Sequence, residues 1–482
     1  MNGTLLAEML EQIAERGRVL VGTRRAARAT HVDDLIDLCD ELLSGRGEVS
    51  GVALARAILS AYDTLPPADR VPFFRTLMTR FGVDTDGVRA AIAAWTGAPT
   101  EKSLVALHAA AEPKRQELFR RLNLAPGGTA TLVRMRGQLL DAIRRDGELA
   151  PLDADFMHLL SAWFNRGFLV MRRITWSTPA SILEKIIQYE AVHEISSWTD
   201  LRARLDPPDR RCYAFFHPSL GDEPLIFVQV ALTREVPDAI APVLAETRET
   251  VAPDKATTAV FYSITNCQRG LAGVSFGSFL IKQVVADISR ELPQITNFVT
   301  LSPVPGFAGW LGRELAAGGP ASVAEPDRER LSGLTRAEWH TDRDAEEPLR
   351  APLLRAAAHY FLKARSAAGA ALDPVARFHL GNGARLDRIN WLADTSPKGL
   401  RQSHGLMVNY RYDLDAIEKN HEAYEARGEI VASRAVHRLA AKEMELPVVG
   451  TFKRSYRIGG ANRAPDSPRR ADRAVRELRG GE

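Results

Sequence analysis

The chain has 482 residues, 45% of them hydrophobic and 26% charged, close to the make-up of soluble globular proteins. Lys plus Arg number 63 against 60 Asp plus Glu, a formal net charge of +3 that is too even to mark a dedicated nucleic-acid surface. The length implies about three domains, or two large ones, with enough buried surface to need no disulfide or metal staple.

From the N-terminus, MNGTLLAEMLEQIAERGRVL carries acids every few residues and reads as an amphipathic helix, not a leader. Leu35, Ile36, Leu38, Cys39, Leu42 and Leu43 follow Asp33 at helical spacing, and Gly45 and Gly47 end the run. Val52 to Tyr62 is a second periodic run, halted by Pro66-Pro67. Val71 to Phe81, Val88 to Trp95, Leu104 to Ala111 and Leu132 to Ile143 continue the pattern. The first ~165 residues are therefore expected to be helical.

Near Phe168 the texture changes. Gly167 to Ile174 is apolar and β-branched, and Pro179 opens a helix expected to reach about His193. Cys212 to Phe216 and Pro224 to Leu232 flank Pro218-Ser219-Leu220-Gly221-Asp222, a hairpin pattern. Thr257 to Thr265 and Thr296 to Leu301 are further strand candidates, separated by a Gly-rich turn and the helical run Phe279 to Leu292. Strand, turn, helix, strand is a crossover unit, which implies a partly parallel sheet. Residues 318 to 350 are polar and read as a surface excursion with a short helix. The Arg- and Gly-rich residues 456–482 are expected to be disordered.

Composition and spacing limit the chemistry. Cys39, Cys212 and Cys267 form no CxxC, and the histidines form no HExxH, so no zinc site is expected and a reducing compartment is. No window reaches the ~18 apolar residues of a membrane span. With no peroxisomal tripeptide in Arg479-Gly480-Gly481-Glu482, the expected location is the cytoplasm. The turn Gln268 to Ser278 lacks the Walker pattern and a clean GxGxxG, but its glycines allow backbone N–H groups to approach an anion. Close strand–helix packing is the plainer reading of the same glycines. Gly273-Val274-Ser275-Phe276-Gly277 is also a literal GxSxG, which would make Ser275 an esterase nucleophile. Ser302-Pro303-Val304-Pro305-Gly306-Phe307 places Ser302 at a stiff strand end. Asp373 caps a short helix that carries His379 and stops at Gly381-Asn382-Gly383. A lone His between Phe378 and Leu380 reads as readily as a core residue as a catalyst. These residues alone describe an enzyme or binding module with an anion-accommodating turn.

The segments FYSITNCQRGLAGVSFGSFLIKQV, LSPVPGF, FHLGNGARLDRINWLADTSPKGLRQSHGLMVNYRY and YAFFHPSLGDEPLIFVQVALT resemble malonyl-CoA decarboxylase across much of residues 212 to 412. That resemblance implies an α+β chain of two domains. These are a helical, oligomerising domain over 1–167 and a catalytic domain over 168–455 resembling GNAT-type acetyltransferases. It implies decarboxylation of malonyl-CoA to acetyl-CoA and CO2 without metal or organic cofactor, in a homo-oligomer (dimer or tetramer); charge balance and the lack of an apolar span give no expectation of a nucleic-acid or membrane partner. The family's catalytic Ser and His match Ser302 and His379. Its acyl-CoA loop matches Ala272, Gly273, Val274, Ser275, Phe276, Gly277 and Ser278, and further substrate contacts match Ser263 and Tyr412. Some relatives carry Glu where this chain has Ser275, which argues against a nucleophilic Ser275. Arg269 and Lys282 are candidate phosphate partners. The expected course is a thioester enolate whose α-carbon is protonated by the Ser/His pair, with His379 titrating near an ordinary ~6.5. A GNAT-type acyltransferase using the same loop is the alternative reading.

Overall fold

A computed structural model describes residues 31–441 except for 46, 275–278, 317–322 and 337. Among the described residues eight helices come first, their bounds following the apolar periodicity: α1 (Val32–Leu43), α2 (Glu48–Thr64), α3 (Pro67–Arg80), α4 (Thr85–Gly97), α5 (Glu101–Ala111), α6 (Lys114–Asn123), α7 (Gly128–Ile143) and α8 (Ala150–Trp163). Pro67 sits in the first turn of α3, where its missing N–H has no intrahelical partner to lose. Leu35, Ile58, Phe74, Phe119, Leu139 and Phe156 close the centre of this bundle. Helices α4 and α5 bury no residue.

The remainder is built on one eight-stranded sheet: β1 (Val170–Ile174), β2 (Arg210–Phe216), β3 (Pro224–Thr233), β4 (Thr258–Asn266), β5 (Asn297–Thr300), β6 (Ser302–Pro303), β7 (Arg385–Asn390) and β8 (Met407–Tyr412). The order is β1-β2-β3-β4-β5-β8-β6, with β7 also on β8. The expected hairpin is the antiparallel β2–β3 pair, and the expected crossover gives the parallel β4–β5 pair. Both sheet faces are covered. Cys212, Ala214 and Phe216 face α9 (Ala180–Tyr189) and α10 (Trp198–Leu205), while Tyr213 and Phe215 join Val284 and Ile288 of α11 (Phe279–Glu291). That double burial is why β2 and β3 read as continuous apolar runs with little alternation. The second apolar cluster continues into the helical bundle, so helices and sheet share a core. Overall the class is the expected α+β one, helical first and mixed sheet after.

Two expectations change. The helix after Pro179 ends at Tyr189, where the Glu190 carboxylate reaches forward to accept the N–H groups of Val192 and His193 and holds them in a turn. The polar stretch before residue 350 is not simply a surface excursion: Leu331, Trp339 and Leu349 are buried, and a helix of 20 residues, Arg343–Leu362, begins inside it. Widely spaced apolar residues gave no periodic signal there. The tail, 456–482, lies outside the described residues. Among the described residues no helix is long and apolar enough to cross a membrane.

One detail of the sheet positions the site. The β4–β5 pairing stops at Phe261 opposite Thr300, after which the chain leaves β4 and Ser302 pairs with Val408 of β8. Pro303 and Pro305 lack the N–H that would extend a ladder along β4. The far half of β4, from Ser263 to Asn266, is paired with β3 alone among the described strands, and a gap opens beside it.

Candidate active site

Ser302 stands at the mouth of that gap, and a short helix, Pro374–Gly381, brings His379 to it. The helix starts at Asp373, whose carboxylate accepts the N–H groups of Val375 and Ala376 at 2.9 Å each. The same carboxylate takes a longer contact, 3.4 Å, from the Gly306 N–H of the proline-rich turn, tying the two segments together. Ser302 Oγ lies 3.1 Å from His379 Nε2 and donates to Thr300 Oγ1 at 2.8 Å. Thr300 Oγ1 in turn accepts the Tyr410 N–H at 3.1 Å. His379 Nδ1 is 2.8 Å from the Tyr412 hydroxyl. A donor order consistent with these contacts runs from the Tyr412 O–H to Nδ1, from Nε2–H to Ser302, and from the Ser302 O–H to Thr300.

His379 is 3% exposed and lies stacked on the Tyr410 ring, with centroids 4.6 Å apart and planes at 26°. Tyr410 and Tyr412 alternate along β8 and so share a face, one under the imidazole and the other at its nitrogen. Burial pushes the His379 pKa down to about 3 and holds the Tyr412 phenol well above its usual range. The expectation of a histidine titrating near neutrality is therefore corrected. The resting imidazole is neutral because nothing charged beside it repays the loss of water.

Two cavities meet here. The smaller, about 260 Å³, has Ser302 and His379 among apolar walls that include Val192, Phe261, Ile264 and Phe378. The larger, about 590 Å³, is bordered by Arg269, Ala272, Gly273, Val274, Arg377 and His421, and both share Asn266 and Phe378. The described part of the glycine turn thus borders the larger cavity. Ser275, Phe276, Gly277 and Ser278 lie outside the described residues. Lys282 is ion-paired with Glu418 at 2.5 Å and lines neither cavity, whereas Arg269 lines the larger one and pairs with Asp141. Among the described residues no group of His, Cys, Asp and Glu is placed to hold a metal.

Ser263 does not join this group. A bulge opposite Gln229 and Val230 makes Tyr262 the extra residue of β4, so Ser263 pairs with Gln229 on the face covered by α9. Its hydroxyl donates to the buried Glu190 carboxylate at 2.8 Å, beside Thr265 and the Gln229 amide. Tyr412 reaches His379 and lines neither cavity, so its contact is to the imidazole. Sequence reasoning missed Thr300 and Asn266 and gave Tyr410 no role beyond a polar handle on an aromatic body. Only the period-two spacing of Tyr410 and Tyr412 offered a signal.

Comparison with known proteins follows the same division of the chain. Residues 167–448 match the malonyl-CoA decarboxylase C-terminal domain and residues 81–164 the malonyl-CoA decarboxylase N-terminal domain. A curated relative, the mitochondrial malonyl-CoA decarboxylase of Anser anser anser, is 40% identical over 348 residues, 67% of this chain and 69% of its own length. The crystal structure of malonyl-CoA decarboxylase from Rhodopseudomonas palustris is 56% identical, with TM-score 0.83 over 85% of this chain and 100% of that one. That from Agrobacterium vitis is 54% identical, with TM-score 0.80 over 84% and 99%. With both parts of the chain matched and the fold shared over most of its length, the chain belongs to the malonyl-CoA decarboxylase family, whose members are carboxy-lyases.

Proposed function

We propose that this chain releases CO2 from malonyl-CoA to give acetyl-CoA through a thioester enolate formed in the smaller cavity. The observation that carries the reading is the Ser302–His379 pair, 3.1 Å apart, in a largely apolar cavity that shares Asn266 and Phe378 with the cavity beside the glycine turn. The CoA end occupies the larger cavity, where the Gly273 N–H meets the pyrophosphate. The malonyl end enters the gap beside β4.

Malonyl carboxylate brings a negative charge into low-dielectric surroundings next to a neutral imidazole. An adjacent anion favours imidazolium, so binding draws one proton onto His379. The bond from the carboxylate carbon to the α-carbon then breaks, CO2 leaves, and the electron pair delocalises onto the thioester oxygen. Preorganised donors at the open edge of β4 and the Ser302 hydroxyl stabilise that charge, a contribution on the order of 3–4 kcal/mol per well-placed donor. Nε2–H passes its proton to Ser302, whose hydroxyl proton goes to the α-carbon. The imidazole ends neutral with its proton on Nδ1, towards the Tyr412 oxygen, and the one proton consumed matches the one taken up. Ser263 acts one layer behind, holding Glu190 and through it the Val192 N–H at the cavity wall.

The helical part, 1–167, serves self-association and 168–455 catalysis. In support, Ile92 and Trp95 of α4 and Leu104 and Val105 of α5 are exposed, Val105 by 64%. Sedimentation as a monomer at micromolar concentration would contradict self-association.

Incubation with malonyl-CoA alone, followed by mass detection of products, tests the reaction. Acetyl-CoA and CO2 in equal amounts are expected. Product that appears only after an amine is added means acyl transfer instead, and free malonate with CoA means hydrolysis. Proton uptake is tested separately by calorimetry in buffers of different ionisation enthalpy. Carboxymethyl-CoA, a thioether bearing a carboxylate, should take up close to one proton per site near neutral pH, and acetyl-CoA none.

A further inference from the structure

The glycine turn is held from the helical part of the chain. Arg136, on α7 and 2% exposed, donates from one guanidinium nitrogen to the carbonyl of Gly270 at 2.7 Å and to that of Ala272 at 2.8 Å. Its other edge is held by Asp153 of α8, with Nε 2.7 Å from the carboxylate. Gly270 itself presses against α7 so closely that a Cβ there would lie 1.7 Å from the Val133 carbonyl oxygen.

Resting on the reading that this turn receives the CoA end, we propose that Arg136 is a positioning residue for acyl-CoA. The helical region thereby becomes part of the substrate site. In a planar trans peptide the C=O of one residue and the N–H of the next point in opposite directions. Fixing the Ala272 carbonyl on Arg136 therefore aims the Gly273 N–H away from α7, and Gly273 borders the larger cavity. Gly273 has φ +82°, a conformation that side-chain-bearing residues rarely adopt, and no acceptor takes its N–H among the described residues. One buried cation thus orients a donor on the opposite side of the peptide without touching substrate. A guanidinium has the planar spread to reach two carbonyls and a carboxylate together, and an ammonium does not.

Arg136→Met and Arg136→Lys in the full-length chain test this. In the folded, active fraction, KM for malonyl-CoA and Kd for acetyl-CoA are expected to rise at least ~10-fold in the Met variant, the scale of a lost charge-assisted hydrogen bond. The Lys variant should lie between that and wild type, with kcat within about twofold in both. Lower thermal stability with wild-type KM and Kd would overturn the proposal, because a purely structural residue moves the folded fraction alone. If the Met variant does not fold, the Lys variant decides in the same way. Arg75→Gln, which removes the exposed Arg75–Asp146 pair from the same bundle, is the control, and a matching rise in KM there would also overturn it. Wild-type enzyme that makes no acetyl-CoA defeats the function proposed above; wild-type KM in the variants defeats only the positioning role.

Discussion

The serine–histidine corner and the glycine turn are built on opposite plans. At the corner, side chains do the work. Ser302, His379 and Tyr412 are each at most 5% exposed, and each is held by a neighbour on a different segment. At the turn, backbone does the work, Ala272 and Gly273 are open to solvent, and the rigidity comes from Arg136 on another part of the chain. On the function proposed above, the difference is a division of tasks. A group that transfers a proton needs a fixed rotamer and a dry setting, whereas a phosphate needs open access and aimed N–H groups.

If this division holds, changes at the corner act on kcat and changes at the turn act on KM. The largest effect is expected at the corner. Ser302→Ala and His379→Asn should each lower kcat by about 10²-fold or more, with KM for malonyl-CoA little changed. Steady-state kinetics on folded variants checks this, and near-normal kcat would remove the two from the chemistry. Next comes Gly270→Ala, which forces a methyl group onto the Val133 carbonyl. Thermal or urea unfolding should show a loss of about 1–3 kcal/mol, with a raised KM and little change in the kcat of the folded fraction.

The corner should also show itself in acid. His379 and His193 have pKa values lowered by burial to about 3 and about 4, below their unfolded value. The unfolded chain therefore binds protons first as pH falls, so this stability is complete above about 6.5 and is lost on the way down towards the folded values. Between pH 7 and pH 5 the loss is about 2 kcal/mol per histidine. His379→Asn should flatten the dependence of thermal stability on pH over that interval, and an unchanged slope would contradict a neutral, buried His379. The smallest effect is expected for Tyr412→Phe, which leaves Nδ1 without its phenol while keeping the packing. A fall in kcat of about tenfold with unchanged KM is expected. A changed KM with normal kcat would instead put Tyr412 in contact with substrate.

Much of this was legible in the sequence for particular reasons. The helices of the first 165 residues follow their apolar spacing, and the β2–β3 hairpin and the crossover after β4 are marked by glycine and proline. Ser302 and His379 were named from family likeness, and the capped helix of His379 from Asp373. What failed did so on local geometry. Ser263 sits two residues beyond Phe261, which strand alternation would put on the cavity face, but the Tyr262 bulge turns it to the other side. The chain alone leaves His379 at an ordinary pKa, because nothing along it reveals that Tyr410, Tyr412 and Phe378 will enclose the ring.

By itself, then, the chain's order of residues determined the elements, the α+β class and the types of side chain available for chemistry, since periodicity, caps and turns are properties of neighbours in sequence. Tertiary structure decided which of those side chains meet. Ser302 and His379 are 77 residues apart, and Arg136 is 134 residues from the carbonyl of Gly270 that it holds. Such pairings arise where the β4–β5 ladder parts and where the helical bundle packs on the sheet. Burial, which sets the protonation state of the histidine, exists only once those layers have closed.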